Sequence, residues 1–291
     1  MNIAIVILNY NGQEMLPECL ESLRRLQTDC QIIVVDNAST DRSGELVATK
    51  FTEVTLIKNS TNLGFAEGNN VGIRSALDQG FEAVMLLNND TKVDPGLVKQ
   101  LLAANKPIAS PKIYFYPGFE FHHEKYKDTD RGKVIWYAGG SIDWNNVWGV
   151  HRGVDEVDRG QYDQADELEF ATGCCLFIRR EVFDKIGWFD PRYFLYYEDL
   201  DFCVRTRRAG LTIGYAPQAV LWHKNAQSSA SGSSLHQYYF TRNRLLFGMR
   251  YASWRTKAAL IRQSAKQLVT GTPAEKQGVR DFYRRQFGAK L

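Results

Sequence analysis

An α/β fold with a mostly parallel central sheet is what this 291-residue sequence predicts, on three observations. Its first hundred residues carry four short runs rich in β-branched and aliphatic residues, as strands buried on both faces require. Segments of helical spacing separate those runs, the pattern of βαβ units. Each run ends in a cluster of polar residues, and open parallel sheets bind ligands at the carboxyl ends of their strands.

The elements follow in order. Residues 3–8 (IAIVIL) read as the first strand and 13–26 as a helix through Leu16, Leu20 and Leu23. Residues 32–35 read as a second strand, 41–50 as a helix, 54–58 as a third strand, 65–77 as a helix and 83–87 as a fourth strand. The pattern changes near Pro107. Residues 114–166, rich in Gly, Tyr, Trp, His and Asp, read as hairpins and loops, and 167–180 as a return to the core. A short helix over 181–186, a helix over 199–209 stopped by Gly210, two short strands within 211–222 and a flexible loop over 227–234 complete the body. Helices fill most of the remainder, interrupted at Gly271-Thr272-Pro273. The division expected is a catalytic domain over 1–235, with halves 1–105 and 106–235, and a basic amphipathic helical region over 236–291.

Composition excludes several classes. No apolar run approaches the 18 or more residues of a membrane-spanning helix, and the start is too short and uncharged for a signal peptide. Five cysteines without CxxC spacing point to reduced, buried thiols and a cytoplasmic setting. The net charge of +3 conceals an asymmetry: residues 242–291 hold twelve Lys/Arg against two Asp/Glu, whereas the rest holds 24 against 31. The tail also carries Leu245, Leu246, Phe247, Met249, Tyr251, Trp254, Leu260 and Ile261. Basic and amphipathic, it suits an anionic membrane surface at the inner face of the cell membrane. A solvated helical face is the plainer alternative, and nucleic acid the weaker one.

The densest chemistry lies in GWFDPRYFLYYEDLDFC (187–203). Glu198, Asp199 and Asp201 follow Trp188, Phe189, Tyr193, Phe194, Tyr196 and Tyr197. Carboxylates beside apolar rings lose hydration, which raises their pKa and makes a proton acceptor near neutral pH. Aromatic faces also receive sugar rings. The competing reading is a helix start, whose first turn favours acids, with Asp201 and Arg205 an i,i+4 pair. Asp36 at the end of the second run could accept from a base or ribose, or cap a turn. Asp90 after the fourth could hold a cation on a diphosphate, and His223 is either a further ligand or a packed histidine. Neither GxGxxG nor a Walker A loop is present, which disfavours nicotinamide and P-loop chemistry.

Taken together, VILNYNG (6–12), VVDNASTD (34–41), NLGFAEGNN (62–70), LLNND (86–90), ATGCCLFIRR (171–180), the 187–210 block, LWHKNAQSS (221–229) and YYFTRNRLLF (238–247) resemble the inverting family 2 glycosyltransferases, in the bacterial rhamnosyltransferase-like branch. The blocks run in family order over roughly residues 3–247. The resemblance implies a GT-A fold and transfer from a nucleotide-diphosphate sugar, dTDP-rhamnose or a UDP-sugar, to a saccharide or lipid-linked acceptor in cell-surface polysaccharide synthesis. It implies Asp199 as catalytic base with Glu198 beside it, and Asp90 and His223 at Mg²⁺ or Mn²⁺. It further implies Asn9, Asp36, Asn62, Gly64, Asn70, Asn88, Asn89, Arg242 and Arg244 around the donor. Asn88 departs from the acidic first position of a DxD motif. The aromatic wall proposed for the acceptor comprises Trp136, Trp188 and Tyr193, with Trp144 and Trp148 nearby. Two rivals remain: a sugar nucleotidyltransferase, whose basic Gly-rich loop is replaced here by NYNG, and a non-catalytic sugar- or nucleotide-binding protein. Oligomeric state is not legible.

Overall fold

A computed structural model describes residues 1–225 and 232–290. Most of the loop expected over 227–234 lies outside the described residues. Its end at Ser233 caps the helix that follows, accepting from the His236 N–H at 3.1 Å.

The strands β1 (Ile3–Asn9), β2 (Gln31–Asp36), β3 (Thr55–Lys58) and β4 (Ala83–Asn88) pair in parallel in the order β4-β1-β2-β3. Helices α1 (Leu16–Leu23), α2 (Ser43–Lys50) and α3 (Gly64–Asp78) make the crossovers. Residues 3–7 of β1 are wholly buried, as their unbroken apolar run requires. Helix α3 lies unusually close to the sheet: a Cβ on Gly72 would come within 2.4 Å of Val6 Cγ1, and one on Gly68 within 2.5 Å of Leu8 Cδ1. Helix α1 starts three residues later than its spacing suggests. Pro17 sits in its first turn, and the Gln13 N–H is drawn to Asp41 Oδ2 at 2.9 Å, tying residues 10–15 to the loop before α2.

Beyond β4 come β5 (Thr91–Val93), α4 (Leu97–Ala103), β6 (Ile108–Phe115), β7 (Ile135–Tyr137) and the hairpin β8 (Gly140–Asp143) and β9 (Trp148–His151). β10 (Asp166–Glu167), β11 (Cys175–Arg179), α5 (Arg180–Ile186), α6 (Glu198–Arg208) and β12 (Ile213–His223) follow. The main sheet runs β10-β12-β6-β11-β4-β1-β2-β3, with β5 on β12 and β7 on β6. β11 inserts antiparallel between β4 and β6. β6 was not recognised in the sequence because Pro111 and the buried Lys112 interrupt its apolar run. Lys112 Nζ is neutralised there by Asp158 at 2.7 Å and Asp163 at 2.6 Å. The two short strands expected within 211–222 are one strand, whose register shifts between Ala216 and Val220. Pro217 lies in that irregularity, where a missing N–H is tolerated.

Helices α7 (Ser234–Tyr251), α8 (Trp254–Thr270) and α9 (Pro273–Tyr283) close the chain. The first two begin on serine caps, Ser233 and Ser253, and α9 on a Thr272/Glu275 capping box. They are not an appendage. Leu245, Leu246, Phe247, Leu260 and Val279 belong to the same apolar core as β1, β4 and β11. Leu245, Leu246, Phe247 and Leu260 of the tail are thus buried in the fold, whereas Trp254 and Ile261 are exposed.

Candidate active site

The carboxyl ends of β1, β2 and β4 lie side by side, since Asn9 pairs with Asp36 and Leu8 with Asn88. Asn9 is fully buried and joins all three ends. Its amide donates to Ser43 Oγ at 2.8 Å and Ser39 Oγ at 3.2 Å, and its Oδ1 accepts from Asn89 Nδ2 at 2.9 Å. Asn9 therefore positions this edge rather than presenting its amide to a ligand. Asp36, itself largely buried, accepts from the Ser39 N–H at 3.2 Å and lies against Gly44, where a Cβ would be 2.7 Å from Oδ2.

Next to this edge, Asp90 Oδ1 lies 3.1 Å from His223 Nε2, and both residues are buried. β5 brings them together, because its pairing sets Thr91 opposite His223. A carboxylate and an imidazole suit a divalent cation. Among the described residues no group of three or more His, Cys, Asp or Glu could hold an ion alone. The two-residue corner would give a Mg²⁺ or Mn²⁺ two protein ligands and leave the others to water or a bound ligand, the usual habit of Mg²⁺.

Two backbone links run from this edge to the acids of α6. The Asn88 N–H donates to the Cys174 carbonyl at 2.9 Å, and the neighbouring Gly173 N–H donates to Asp199 Oδ2 at 3.0 Å. Asp199 Oδ1 accepts a second backbone N–H, from Leu200, at 2.8 Å. Burial raises the Asp199 pKa, and these donors oppose the rise by stabilising the carboxylate. Glu198 is pushed well above the ordinary carboxylate range, by burial first and then by the charge of Asp199. Its Oε2 is buried with no hydrogen-bond partner among the described residues. Of the two acids Glu198 is the more strongly raised, and Asp199 is the one whose charged form the backbone donors stabilise. Asp201, the third acid, is structural: it is fully buried between Arg205 (2.7 Å), Arg250 (3.0 Å) and Tyr251 Oη (2.7 Å).

Glu198 and Asp199 face a cavity of about 400 Å³ lined by Trp148, Gly149, His151, Phe170, Tyr196 and Phe240 among others. A cavity of about 490 Å³ lies away from these acids, between Trp144, Leu168, Arg207 and Tyr251. The acceptor wall read from the sequence is corrected accordingly, since none of its three principal residues lines the smaller cavity. Tyr193 is fully buried and bonds Asp201 at 3.2 Å. Trp188 stacks on Phe183 at the surface. Trp136 is wedged edge-on between His151 (4.7 Å) and His223 (4.5 Å). Trp148, from the wider group, does line it. Missed altogether was His151, whose pKa burial pushes down to about 4, leaving a neutral imidazole beside the acids. An isolated histidine within a loop-rich stretch carried no signal.

Arg242 is also corrected. It is fully buried, and its guanidinium donates to the carbonyls of Arg192 (3.0 Å), Tyr193 (2.9 Å) and Gly288 (2.8 Å), so its donors are taken up inside the protein. Asn243 beside it donates to the carbonyls of Tyr193 (2.8 Å), Leu195 (2.8 Å) and Tyr196 (2.9 Å). The segment they grip holds three aromatic residues at positive φ: Phe194 (64°), Tyr196 (69°) and Tyr197 (74°). Such backbone costs about 1–3 kcal/mol per residue and persists only when its surroundings impose it. Gly64, itself at φ 75°, closes the other side: a Cβ there would lie 2.4 Å from the Phe194 carbonyl oxygen. Asn62 accepts from Asn37 Nδ2 and the Gly64 N–H, both at 2.9 Å. Asn70 is buried, with its amide exchanged against the backbone of Phe189. Asn62, Gly64 and Asn70 thus shape loops in this structure. Arg244 reaches the Asn146 carbonyl at 2.6 Å and Gln263 at 3.0 Å, with its guanidinium 5.9 Å from the Trp148 ring.

Comparisons to known proteins agree with this fold. The model for glycosyl transferase family 2 matches residues 4–187, and the chain belongs to that family. It is a glycosyltransferase. It is 26% identical over 251 residues to the low-salt glycan biosynthesis hexosyltransferase Agl10 of Haloferax volcanii, covering 84% of this chain and 75% of that protein. It is 26% identical over 262 residues to the dTDP-rhamnosyl transferase RfbF of Shigella flexneri, covering 84% and 79%. It is 24% identical over 273 residues to the N-acetylglucosaminyl-diphospho-decaprenol L-rhamnosyltransferase of Mycobacterium tuberculosis, covering 87% and 86%. Among solved structures, GalNAc-T7 with UDP, GalNAc and Mn²⁺ superimposes with a TM-score of 0.66 at 16% identity, over 98% of this chain and 54% of that one. The mannosyltransferase PcManGT of Pyrobaculum calidifontis, with GDP-Man and Mn²⁺, gives 0.57 at 14% identity, over all of this chain and 76% of that one. These structures establish the GT-A fold.

Two outcomes are expected from this geometry. Replacing Asn243 by Ala strips a donor from three carbonyls and should lower stability by about 1–3 kcal/mol. Denaturant unfolding reads that loss, and turnover should fall with it as the acids lose their fixed position. Glu198→Gln tests the buried proton. Folding raises this pKa, so the group favours the folded state below its ordinary value of 4.5 and opposes it once pH climbs through the raised one. The variant should therefore melt higher than wild type at neutral pH, by about 2–4 °C per kcal/mol of cost removed. That advantage should vanish below pH 4.5; a pH-independent difference would contradict the assignment.

Proposed function

We propose that this glycosyltransferase moves a hexose or deoxyhexose from a nucleoside-diphosphate donor to a hydroxyl of a saccharide or lipid-linked acceptor, with inversion at the anomeric carbon. The observation that carries the reading is Asp199, a partly exposed carboxylate held by two backbone donors behind an aromatic cavity. Asp199 takes the proton of the acceptor hydroxyl. The freed oxygen bonds the anomeric carbon from the face opposite the nucleoside diphosphate, and the bond to the leaving phosphate oxygen breaks. A single displacement of this kind inverts the centre and needs no covalent intermediate.

Glu198, protonated, keeps a second negative charge away from the attacking oxygen. Asp36 meets the nucleotide at the end of β2, with Asn88 and Asn89 along the same edge. Asp90 and His223 would hold a divalent cation, which supplies charge neutralisation at the departing diphosphate. In support, solved structures of this fold carry Mn²⁺ with UDP or GDP-mannose. Relatives named for dTDP-rhamnosyl transfer and for a diphospho-decaprenol acceptor favour a deoxyhexose donor and a lipid-linked acceptor.

The test is nucleoside diphosphate release over a panel of dTDP-, UDP- and GDP-sugars with Mg²⁺ or Mn²⁺. General-base catalysis contributes about 10²–10⁴-fold, so Asp199→Asn should lose that much turnover while still binding donor. Wild-type activity should fall as pH drops through the raised Asp199 pKa, a limb the variant lacks; near-normal turnover by the variant would remove Asp199 from the role. Asp90→Ala should flatten the metal titration and lower activity at every metal concentration, whereas an unchanged titration would dismiss the cation corner. Tight donor binding without turnover over any acceptor would favour a binding protein, and pyrophosphate release from a nucleoside triphosphate and a sugar phosphate a nucleotidyltransferase.

A further inference from the structure

Helix α8 buries Leu260 and Ser264 against the body and leaves the adjoining face exposed. Along that face Trp254, Ala258, Ile261, Ala265 and Leu268 follow one another at spacings of four and three residues, and all are exposed. Val269 extends the strip. Trp254 is 74% exposed, Ile261 48% and Val269 75%, high values for such side chains in a folded chain. At 100° per residue these six positions span about 100°, the width of an apolar stripe that normally packs on a core. No described residue covers it.

The edges of the stripe are cationic. Arg255, Arg262 and Lys266 lie along one side and Lys257 along the other, and the seventeen residues of α8 include no acid. None of the four makes an ion pair among the described residues, in contrast to Arg205 and Arg250 on the neighbouring helices. No helix among the described residues is long and apolar enough to cross a membrane. An apolar strip with unpaired cations at its margins instead matches the boundary between acyl chains and anionic headgroups.

We infer that α8 is a lipid-docking helix that lies in the surface of an anionic bilayer, with Trp254, Ile261 and Leu268 inserted and Arg255, Arg262 and Lys266 on the headgroups. The helix is also tied to the catalytic cavity. Gln263 of α8 accepts from Arg244, whose guanidinium lies 5.9 Å from the ring of Trp148 in the cavity lining. A chain docked this way would hold its cavity near a membrane, where a lipid-linked hydroxyl is found. The docking itself does not rest on sugar transfer, since vesicle binding is read without turnover.

The experiment is flotation of the full chain with phosphatidylcholine vesicles made with or without phosphatidylglycerol, alongside sedimentation velocity in the absence of lipid. The chain should float only with phosphatidylglycerol, and less as salt rises. Arg255→Gln, Arg262→Gln and Lys266→Gln should each weaken partitioning about fivefold. The double variant Trp254→Glu/Ile261→Glu should not float, yet should keep its unfolding midpoint and its donor turnover, because both side chains are exposed and away from the acids. Flotation of the double variant equal to wild type, or no flotation of the wild type, would overturn the inference. So would self-association of the wild type, abolished in the double variant, without vesicle binding; the stripe would then meet a second copy of the chain.

Discussion

The grip of Asn243 and Arg242 on the segment before α6 is the constraint on which the rest of the site depends. Three aromatic residues with positive φ precede Glu198, a conformation L-residues adopt only under compulsion. The compulsion comes from two consecutive residues of α7, which satisfy the carbonyls at 192, 193, 195 and 196. Gly64 and the Phe65 N–H, which donates to the Phe194 carbonyl at 2.6 Å, brace the same turn from the side of α3. Arg242 is fixed in turn by the Gly288 carbonyl beyond α9. The C-terminal helices therefore belong to the machinery that orients the acids, although no acid of the proposed chemistry lies on them.

The opposite edge is built by a different device. Strands that run in parallel end at one level, and Asn9 uses that coincidence to link β1, β2 and β4 through its amide. A buried amide with both ends bonded holds geometry without adding charge. That leaves Asp36 and Asp90 as the negative groups on their strand ends. Their spacing relative to Asp199 is set through β11, since the Cys174 carbonyl accepts from Asn88 and the Gly173 N–H donates to the Asp199 carboxylate. β11 runs antiparallel, and so delivers its starting end, where those residues lie, to the carboxyl edge of β4.

How much of this was legible follows from what periodicity encodes. The parallel half was read with small errors at its ends, because strands buried on both faces leave long apolar runs and their crossovers leave amphipathic ones. β6 escaped because its central Lys112 is buried by pairing with Asp158 and Asp163, partners more than forty residues away. The direction of β11 escaped because CLFIR has the same pattern either way. Glu198 and Asp199 stood out as acids behind aromatic residues, and family order supplied their expected roles. The functions of Arg242, Asn70 and Tyr193 did not stand out. Whether a guanidinium meets a phosphate or a carbonyl depends on loop conformation, and these residues are absorbed by a turn whose left-handed backbone no local composition announces.

The asymmetry between Glu198 and Asp199 also has a physical logic. Two adjacent carboxylates in a site of low polarity cannot both ionise cheaply. Backbone donors from Gly173 and Leu200 reach Asp199, whereas Glu198 Oε2 has no partner among the described residues, so the charged form is better supported on Asp199 than on Glu198. Burial raises the pKa of Asp199, and the same donors oppose that rise. A base needs both properties at once: affinity for a proton, and an empty site to receive it. The neighbouring His151 stays neutral for the same reason of burial, and so adds no cation that would pull the Asp199 pKa back down.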